Sequence, residues 1–186
     1  MGAINLNSDL GESFGPYTIG MDSEVLKVVA SANVACGFHG GDPMVMTETI
    51  RIAAAQGVSI GAHPGFQDLA GFGRRAIPTR PAEAEALCAY QIGALMGVAA
   101  AQGAKVTHVK PHGALNNMAS ADDDLAEALA RATRGVDPHL IFLAPAASAL
   151  SRAGRKLGLR VAEEAFADRT YLDDGQLTPR KEPDAM

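Results

Sequence analysis

Short β-like runs alternate with longer alanine-rich helical patterns along almost the whole chain, and this alternation restricts the fold more than any other feature. Strand patterns fall at 3–7, 32–35, 58–62, 105–110, 140–144 and 159–163. Helical patterns fall between them at 23–29, 43–56, 81–102, 121–132 and 146–157. In the second of these, Val45, Met46, Ile50, Ala53 and Ala54 recur at helical spacing. Asp42 suits the N-cap and Pro43 the first helical position. Gly57, Gly103 and Gly158 each sit just past a helical pattern, where a left-handed residue often closes the last turn. Strands separated by helices must run parallel, with the helices as crossovers. Several strand patterns are apolar throughout, as required when both sheet faces are covered. The fold class is therefore α/β, either an open doubly wound sheet or a (β/α) barrel.

The placement of polar residues favours the barrel. Asp9 and Glu12 follow the first strand pattern, and Cys36, His39 and Asp42 the second. His63 follows the third, while His108, Lys110 and His112 close the fourth. Glu163, Asp168 and Arg169 follow the sixth. Chemistry spread over the C-terminal ends of many strands is the barrel arrangement, whereas an open sheet gathers it at one switch point. The chain has 186 residues, one domain's worth. A closed barrel usually takes about 200 or more, so one or two β/α units are expected to be missing.

Composition narrows the function. Sixteen Lys and Arg against 21 Asp and Glu give a net charge of -5, which argues against a general nucleic-acid binder. The longest apolar-plus-glycine run, 92–101, is too short to span a bilayer, and the N-terminus lacks a signal-peptide pattern. Two cysteines and no CxxC give no disulfide framework. A cytoplasmic location without membrane or nucleic-acid partners is expected. There is no GxxxxGK[ST], HExxH or GxSxG, so neither a P-loop, a zincin helix nor a hydrolase elbow is supported.

The candidate site residues fall in short blocks. Asp9 and Glu12 can serve as a general base or as metal ligands, or simply satisfy a turn. In Cys36-Gly37-Phe38-His39-Gly40-Gly41-Asp42, the glycines let backbone approach a ligand closely and His39 can move protons. Asp42 is expected as a cap, and Cys36 as packing rather than a nucleophile. His63 precedes Pro64-Gly65, a turn. In His108-Val109-Lys110-Pro111-His112, alternation points His108 and Lys110 to one face. A lysine facing a barrel interior needs an anionic partner, which Asp9, Glu12 or a substrate carboxylate can supply. Arg74-Arg75 can clamp an anion, and Asp168-Arg169 can form a site pair or a loop salt bridge.

Six stretches together resemble the LamB/YcsF family. They are Asn5-Leu6-Asn7-Ser8-Asp9-Leu10-Gly11-Glu12-Ser13-Phe14-Gly15, Ser31-Ala32-Asn33-Val34-Ala35-Cys36-Gly37-Phe38-His39, Gly61-Ala62-His63-Pro64-Gly65-Phe66, Gly71-Phe72-Gly73-Arg74-Arg75, His108-Val109-Lys110-Pro111-His112-Gly113-Ala114-Leu115 and Phe166-Ala167-Asp168-Arg169-Thr170-Tyr171. The resemblance implies a (β/α) barrel of the seven-stranded polysaccharide-deacetylase-like type. It also implies ATP-coupled hydrolysis of 5-oxoproline to L-glutamate, carried out with partner subunits B and C that take a large share of nucleotide handling. The family continues beyond the point matched by Met186, so residues 1–186 are expected to form a single barrel domain lacking the last β/α unit. The family commonly has Tyr after the leucine equivalent to Leu115, where this chain has Asn116.

On that footing Asp9 is expected to be the base, with His39 or His63 transferring protons and Lys110 stabilising developing negative charge. Glu12, Asn33, Gly40, Arg74, His112 and Asp168 are expected to bind substrate. No metal is predicted. A rival reading, metal-dependent deacetylation, takes Asp9, His39 and His63 as ligands. A third is a noncatalytic role in substrate binding or as a scaffold.

Overall fold

Six parallel strands pair in sequence order in the computed structural model, which describes residues 4–173, 175–178 and 182–185. They are β1 (Asn7–Leu10), β2 (Ser31–Ala35), β3 (Ser59–His63), β4 (Val106–Val109), β5 (Ile141–Pro145) and β6 (Arg160–Glu164). The helices are α1 (Asp22–Val25), α2 (Pro43–Ala55), α3 (Pro81–Ala101), α4 (Gly113–Ala121), α5 (Asp123–Val136) and α6 (Ala149–Lys156).

The sheet is curled into a half-barrel. Laid flat, its two edge strands would stand roughly 24 Å apart, five spacings of about 4.8 Å. Yet Asn7 on β1 donates a hydrogen bond of 3.4 Å to Glu164 on β6. Curling turns the interior faces of β1, β4 and β6 toward one another. No direct β1–β6 pairing closes the sheet, and a seventh strand is not found among the described residues.

Helices cover the outer face. The core between them and the sheet is built from Val34, Ile50, Ala62, Ile92, Leu95, Leu129 and Phe142, all essentially without solvent contact. By length and composition α3 could cross a bilayer, with a mean hydropathy of 1.3 over its apolar window. This extends the apolar stretch well beyond 92–101. In the fold α3 buries Ala84, Cys88, Ile92, Leu95 and Ala99 and packs on α5.

Local chemistry explains most boundaries. Asp42 caps α2, accepting from the N–H groups of Met44 and Val45 at 2.8 and 2.9 Å. Gly57, Gly103 and Gly158 all have positive φ, between 69 and 76°. Two differences from the sequence pattern stand out. The first strand is 7–10, not 3–7, and Ala3 lies outside the described residues. Its interior face carries Asn7 and Asp9, so the apolar run that suggests a strand is not the segment that pairs. Helix α4 has no counterpart in the sequence pattern, because glycine and two asparagines make this segment a weak helix former. The helix expected from 121 begins at Asp123, because Asp122 caps the N–H groups of Asp124 and Leu125.

One glycine is fixed by the interior. A Cβ on Gly61 would lie 2.1 Å from His108 Nε2, so this position on β3 must stay bare for the imidazole to fill the barrel. Gly61→Ala is expected to destabilise the fold by about 1–3 kcal/mol, the usual range for an overpacked interior. Urea unfolding of the variant measures this, and unchanged stability would show that His108 can move away freely.

Candidate active site

Strand ends deliver the polar residues into the half-barrel as two layers. In the lower layer, Asn33 on β2 accepts a contact of 3.0 Å from His108 Nε2 on β4. Through its Nδ2 group Asn33 then donates upward to Asn7 and Asp9, at 2.7 and 2.9 Å. His108 and Lys110 do face the same interior, as strand alternation requires.

Lys110 organises the upper layer. Its ammonium donates to Asp9 Oδ1 at 3.1 Å and Asn7 Oδ1 at 3.3 Å, and pairs with Glu164 Oε2 at 3.1 Å. An ammonium has three donors, and these contacts use all of them. The Phe166 ring lies 5.0 Å from Nζ. Burial pulls the Lys110 proton affinity down, but the charges of Asp9 and Glu164 outweigh it and raise it above the usual value. Burial likewise pushes Asp9 up. The positive charges of His63 and Lys110, with hydrogen bonds from His63 and Asn33, overcome this and hold Asp9 well below the usual carboxylate range.

A histidine cluster adjoins Asp9. His63 Nδ1 lies 2.6 Å from the Lys110 carbonyl, which can only accept, so Nδ1 carries a hydrogen. His112 Nε2 lies 2.8 Å from the Phe72 carbonyl, so that nitrogen also carries one. The inward nitrogens, His63 Nε2 and His112 Nδ1, then face each other as acceptors at 3.0 Å. His63 carries the proton this pairing needs, and its Nε2–H is shared between Asp9 Oδ2 at 3.3 Å and His112 Nδ1 at 3.0 Å. Burial disfavours charge on His63, but Asp9 Oδ2 at 3.3 Å raises its proton affinity above the ordinary value. His112 is pushed down to about 3 by burial and by the charge on His63. His39 stacks on His112 with ring centroids 3.6 Å apart, and its Nε2 lies 3.2 Å from Glu12 Oε1.

The loops that hold this cluster are tightly packed. Gly40 and Gly41 press against the backbone of Gly11 and Glu12, where a Cβ would meet carbonyl oxygens at 3.0 and 2.8 Å. This contact brings His39 to Glu12. Asp68 accepts from the Gly71 N–H and from Arg75, fixing the turn whose Phe72 carbonyl binds His112.

A cavity of about 510 Å³ opens over the upper layer, lined by Asp9, His63, Arg74, Lys110, His112 and Asn116 together with Phe166 and Arg169. The other expected site residues do not line it. Glu12 and His39 stand behind His112, Asn33 lies beneath Asp9, and Gly40 faces the Glu12 backbone. Asp168 is exposed and outside the cavity lining. Arg74 reaches the cavity over the Phe72 ring, whereas Arg75 is committed to Asp68, so the pair does not act as one clamp. Cys36 is fully buried and its thiol is pushed up to about 12, consistent with packing.

Two residues have no clear signal in the sequence. Glu164 is the buried partner of Lys110, while the neighbouring Glu163 points outward to Ser151 and Arg155. Strand parity distinguishes the two glutamates, but only once the register of β6 is known. Asn116, buried on α4, leaves its Oδ1 without a hydrogen-bond partner beside the cavity.

The LamB/YcsF family model matches residues 4–186. The chain belongs to the LamB/YcsF family. Relatives in it include the 5-oxoprolinase A subunit of Bordetella pertussis, 59% identical over 99% of this chain and 73% of its own length. The 5-oxoprolinase A subunit of Bacillus subtilis is 57% identical over 98% of this chain and 71% of its own length. Among solved structures, the lactam utilization protein of Thermus thermophilus superposes with a TM-score of 0.93 at 48% identity, covering 98% of this chain and 74% of that one. The LamB/YcsF half-barrel is thus shared with a protein named for lactam use.

The buried histidines make stability depend on pH. His39 and His112 are held down to about 3 and His108 to about 4, in each case first by burial. Their unfolded value is about 6.5. Above that value neither state is protonated, and their full contribution to stability is present. As pH falls from 6.5 toward 3, the unfolded chain takes up protons that the folded one refuses, and the contribution is lost. Each group adds a slope of up to about 1.4 kcal/mol per pH unit. Chelator-treated protein is expected to lose stability in urea steeply between pH 6 and 4, with more than one group's slope. A flat profile there would contradict the buried neutral histidines.

Proposed function

We propose that this chain is the lactam-binding component of an ATP-dependent 5-oxoprolinase and carries the residues that open the ring of 5-oxo-L-proline to L-glutamate. The observation that carries this reading is a carboxylate, Asp9, held ionised beside a buried ammonium, Lys110, on the floor of a cavity sized for a small molecule. The names of the family relatives supply the substrate class.

A lactam is resonance-stabilised, and water attacks it slowly. Phosphoryl transfer from ATP to the lactam oxygen, handled with subunits B and C, supplies the activation. Water then adds to the activated carbon, the ring C–N bond breaks to leave an acyl phosphate, and a second water releases phosphate and L-glutamate. This chain's residues do the rest. Asp9 Oδ2, the oxygen not bound to Lys110, accepts a proton from the attacking water. Lys110 provides the positive charge that holds the negative phosphoryl group on the lactam oxygen. That oxygen reaches an ammonium proton by displacing Asn7, the longest of its three contacts. The proton between His63 and His112 is the nearest one for the leaving nitrogen. Before ring opening, Arg74 offers a cation for the substrate carboxylate, and Asn116 in the cavity wall, whose buried Oδ1 is unpartnered among the described residues, can turn to accept from the lactam N–H.

Titration calorimetry with 5-oxo-L-proline and with L-proline, which lacks the ring carbonyl, tests the reading. Saturable binding of the lactam, at least ten-fold tighter than proline, is expected. Equal affinity for both would remove the lactam from the proposal.

A further inference from the structure

The opposed lone pairs of His63 and His112 belong to a wider cluster. Glu12 Oε1 lies 3.6 Å from His112 Nδ1 and 3.2 Å from His39 Nε2. One ligand atom from each of Glu12, His39, His63 and His112 lies within 4.8 Å of the others. All three histidines are buried, and Glu12 is nearly so. We propose that these four side chains form a binding site for one zinc-type divalent transition-metal ion.

Three features support this beyond proximity. First, backbone carbonyls of Lys110 and Phe72 fix the outer N–H groups of His63 and His112, so both inner nitrogens present lone pairs to the same point. Histidine ligands to metals almost always have their other ring N–H held this way. Second, the spacing suits such an ion. With metal–ligand bonds of about 2.0–2.1 Å, tetrahedral ligand atoms stand roughly 3.3–3.4 Å apart. Three of the six ligand-atom separations, 3.0, 3.2 and 3.6 Å, bracket that value, and the others lie within 4.8 Å, so the cluster has to close slightly on the ion. Third, three imidazoles and one carboxylate favour zinc, cobalt or nickel over magnesium or calcium, which prefer all-oxygen sites.

His39 is the outlying ligand. Its ring lies parallel to that of His112, centroids 3.6 Å apart, so it must turn before Nε2 can aim its in-plane lone pair at the same ion. Among the described residues its Nδ1 has no hydrogen-bond partner to fix its tautomer. Asp9 is not one of the four. Its Oδ1 is committed to Lys110 and Asn33. The set therefore differs from the Asp9, His39 and His63 trio expected from sequence under the deacetylase reading. His63 and His112 line the cavity, which gives an ion a way in. The inference does not rest on the lactam reading, but it changes one role within it. A metal ion would take the place of the shared proton, and the leaving nitrogen would then draw its proton from water.

The test is metal binding by the whole chain. Chelator-treated protein is titrated with Zn²⁺, with Co²⁺ as a spectroscopic probe and with Mg²⁺. Wild type is expected to bind one Zn²⁺ per chain, to develop visible Co²⁺ absorption and to ignore Mg²⁺. Glu12→Gln and His112→Ala are each expected to weaken Zn²⁺ binding at least ten-fold, and His139→Ala, at an exposed histidine, to leave it unchanged. Circular dichroism confirms that each variant is folded, and Glu12→Gln, nearly isosteric, guards against collapse of the histidine variant. Absence of saturable Zn²⁺ binding, or binding untouched by both site variants, would overturn the inference. Turnover of 5-oxoproline by a chain that binds no zinc would sink the metal site alone. One tight zinc with no lactam turnover would sink the functional reading alone.

Discussion

Lys110→Met is expected to abolish turnover in the assembled enzyme and to destabilise this chain at the same time. The ammonium stands between two carboxylates, Asp9 and Glu164, and its side chain is 6% exposed. Removing it leaves Glu164, also 6% exposed, as an unpaired buried charge. Breaking such a pair from one side costs about 3–5 kcal/mol. Asp9 is one-third exposed, and water softens its share, so a value of about 3 kcal/mol is expected. Loss of the positive charge at the reacting oxygen should lower kcat by a further factor of about 10²–10³. The double variant Lys110→Met with Glu164→Gln separates the two effects. It should recover much of the lost stability in urea unfolding and none of the turnover. Recovery of activity along with stability would reduce Lys110 to a structural role.

Asp9→Asn is expected to give the complementary result, a folded chain that binds substrate and does not turn it over. Asn33 can still donate to the remaining oxygen at position 9, so the lower layer keeps its connection. What disappears is the anion that accepts a proton from water, and kcat should fall by about 10²–10⁴. Affinity for 5-oxoproline in calorimetry should change by less than ten-fold, because Arg74, Lys110 and Asn116 in the cavity wall are untouched. A large loss of affinity with kcat retained would make Asp9 a binding residue rather than the base.

The sequence is informative wherever one residue's chemistry decides the outcome. Asp42 before Pro43 marks the start of α2, and Asp42 caps it in the structure. Polar residues after successive strand patterns indicate a (β/α) barrel, and the described residues form six strands of one, a half-barrel whose edges meet through Asn7 and Glu164. Lys110 on an interior strand face requires an anion, and Asp9 supplies it. Sequence reasoning falls short where the outcome depends on register or on contacts distant in the chain. Glu163 and Glu164 are adjacent and alike, and only the pairing of β5 with β6 decides which faces inward. Glu12 and His39 read as cavity residues, yet the close backbone approach of Gly40 and Gly41 places them behind His112. Asn116 looks like a plain departure from a tyrosine expected there until α4 makes it part of the cavity wall, with its Oδ1 buried and unpartnered among the described residues.

The central claim is that lactam cleavage depends on this chain's own Asp9 and Lys110. The most direct measurement is L-glutamate formed from 5-oxo-L-proline and ATP by this chain with candidate B and C subunits, each component omitted in turn, and with Asp9→Asn in place of wild type. Glutamate is expected only from the full set, and is expected to be lost with Asp9→Asn although the variant still assembles. Glutamate formed at an undiminished rate without this chain, or with Asp9→Asn in its place, would contradict the claim.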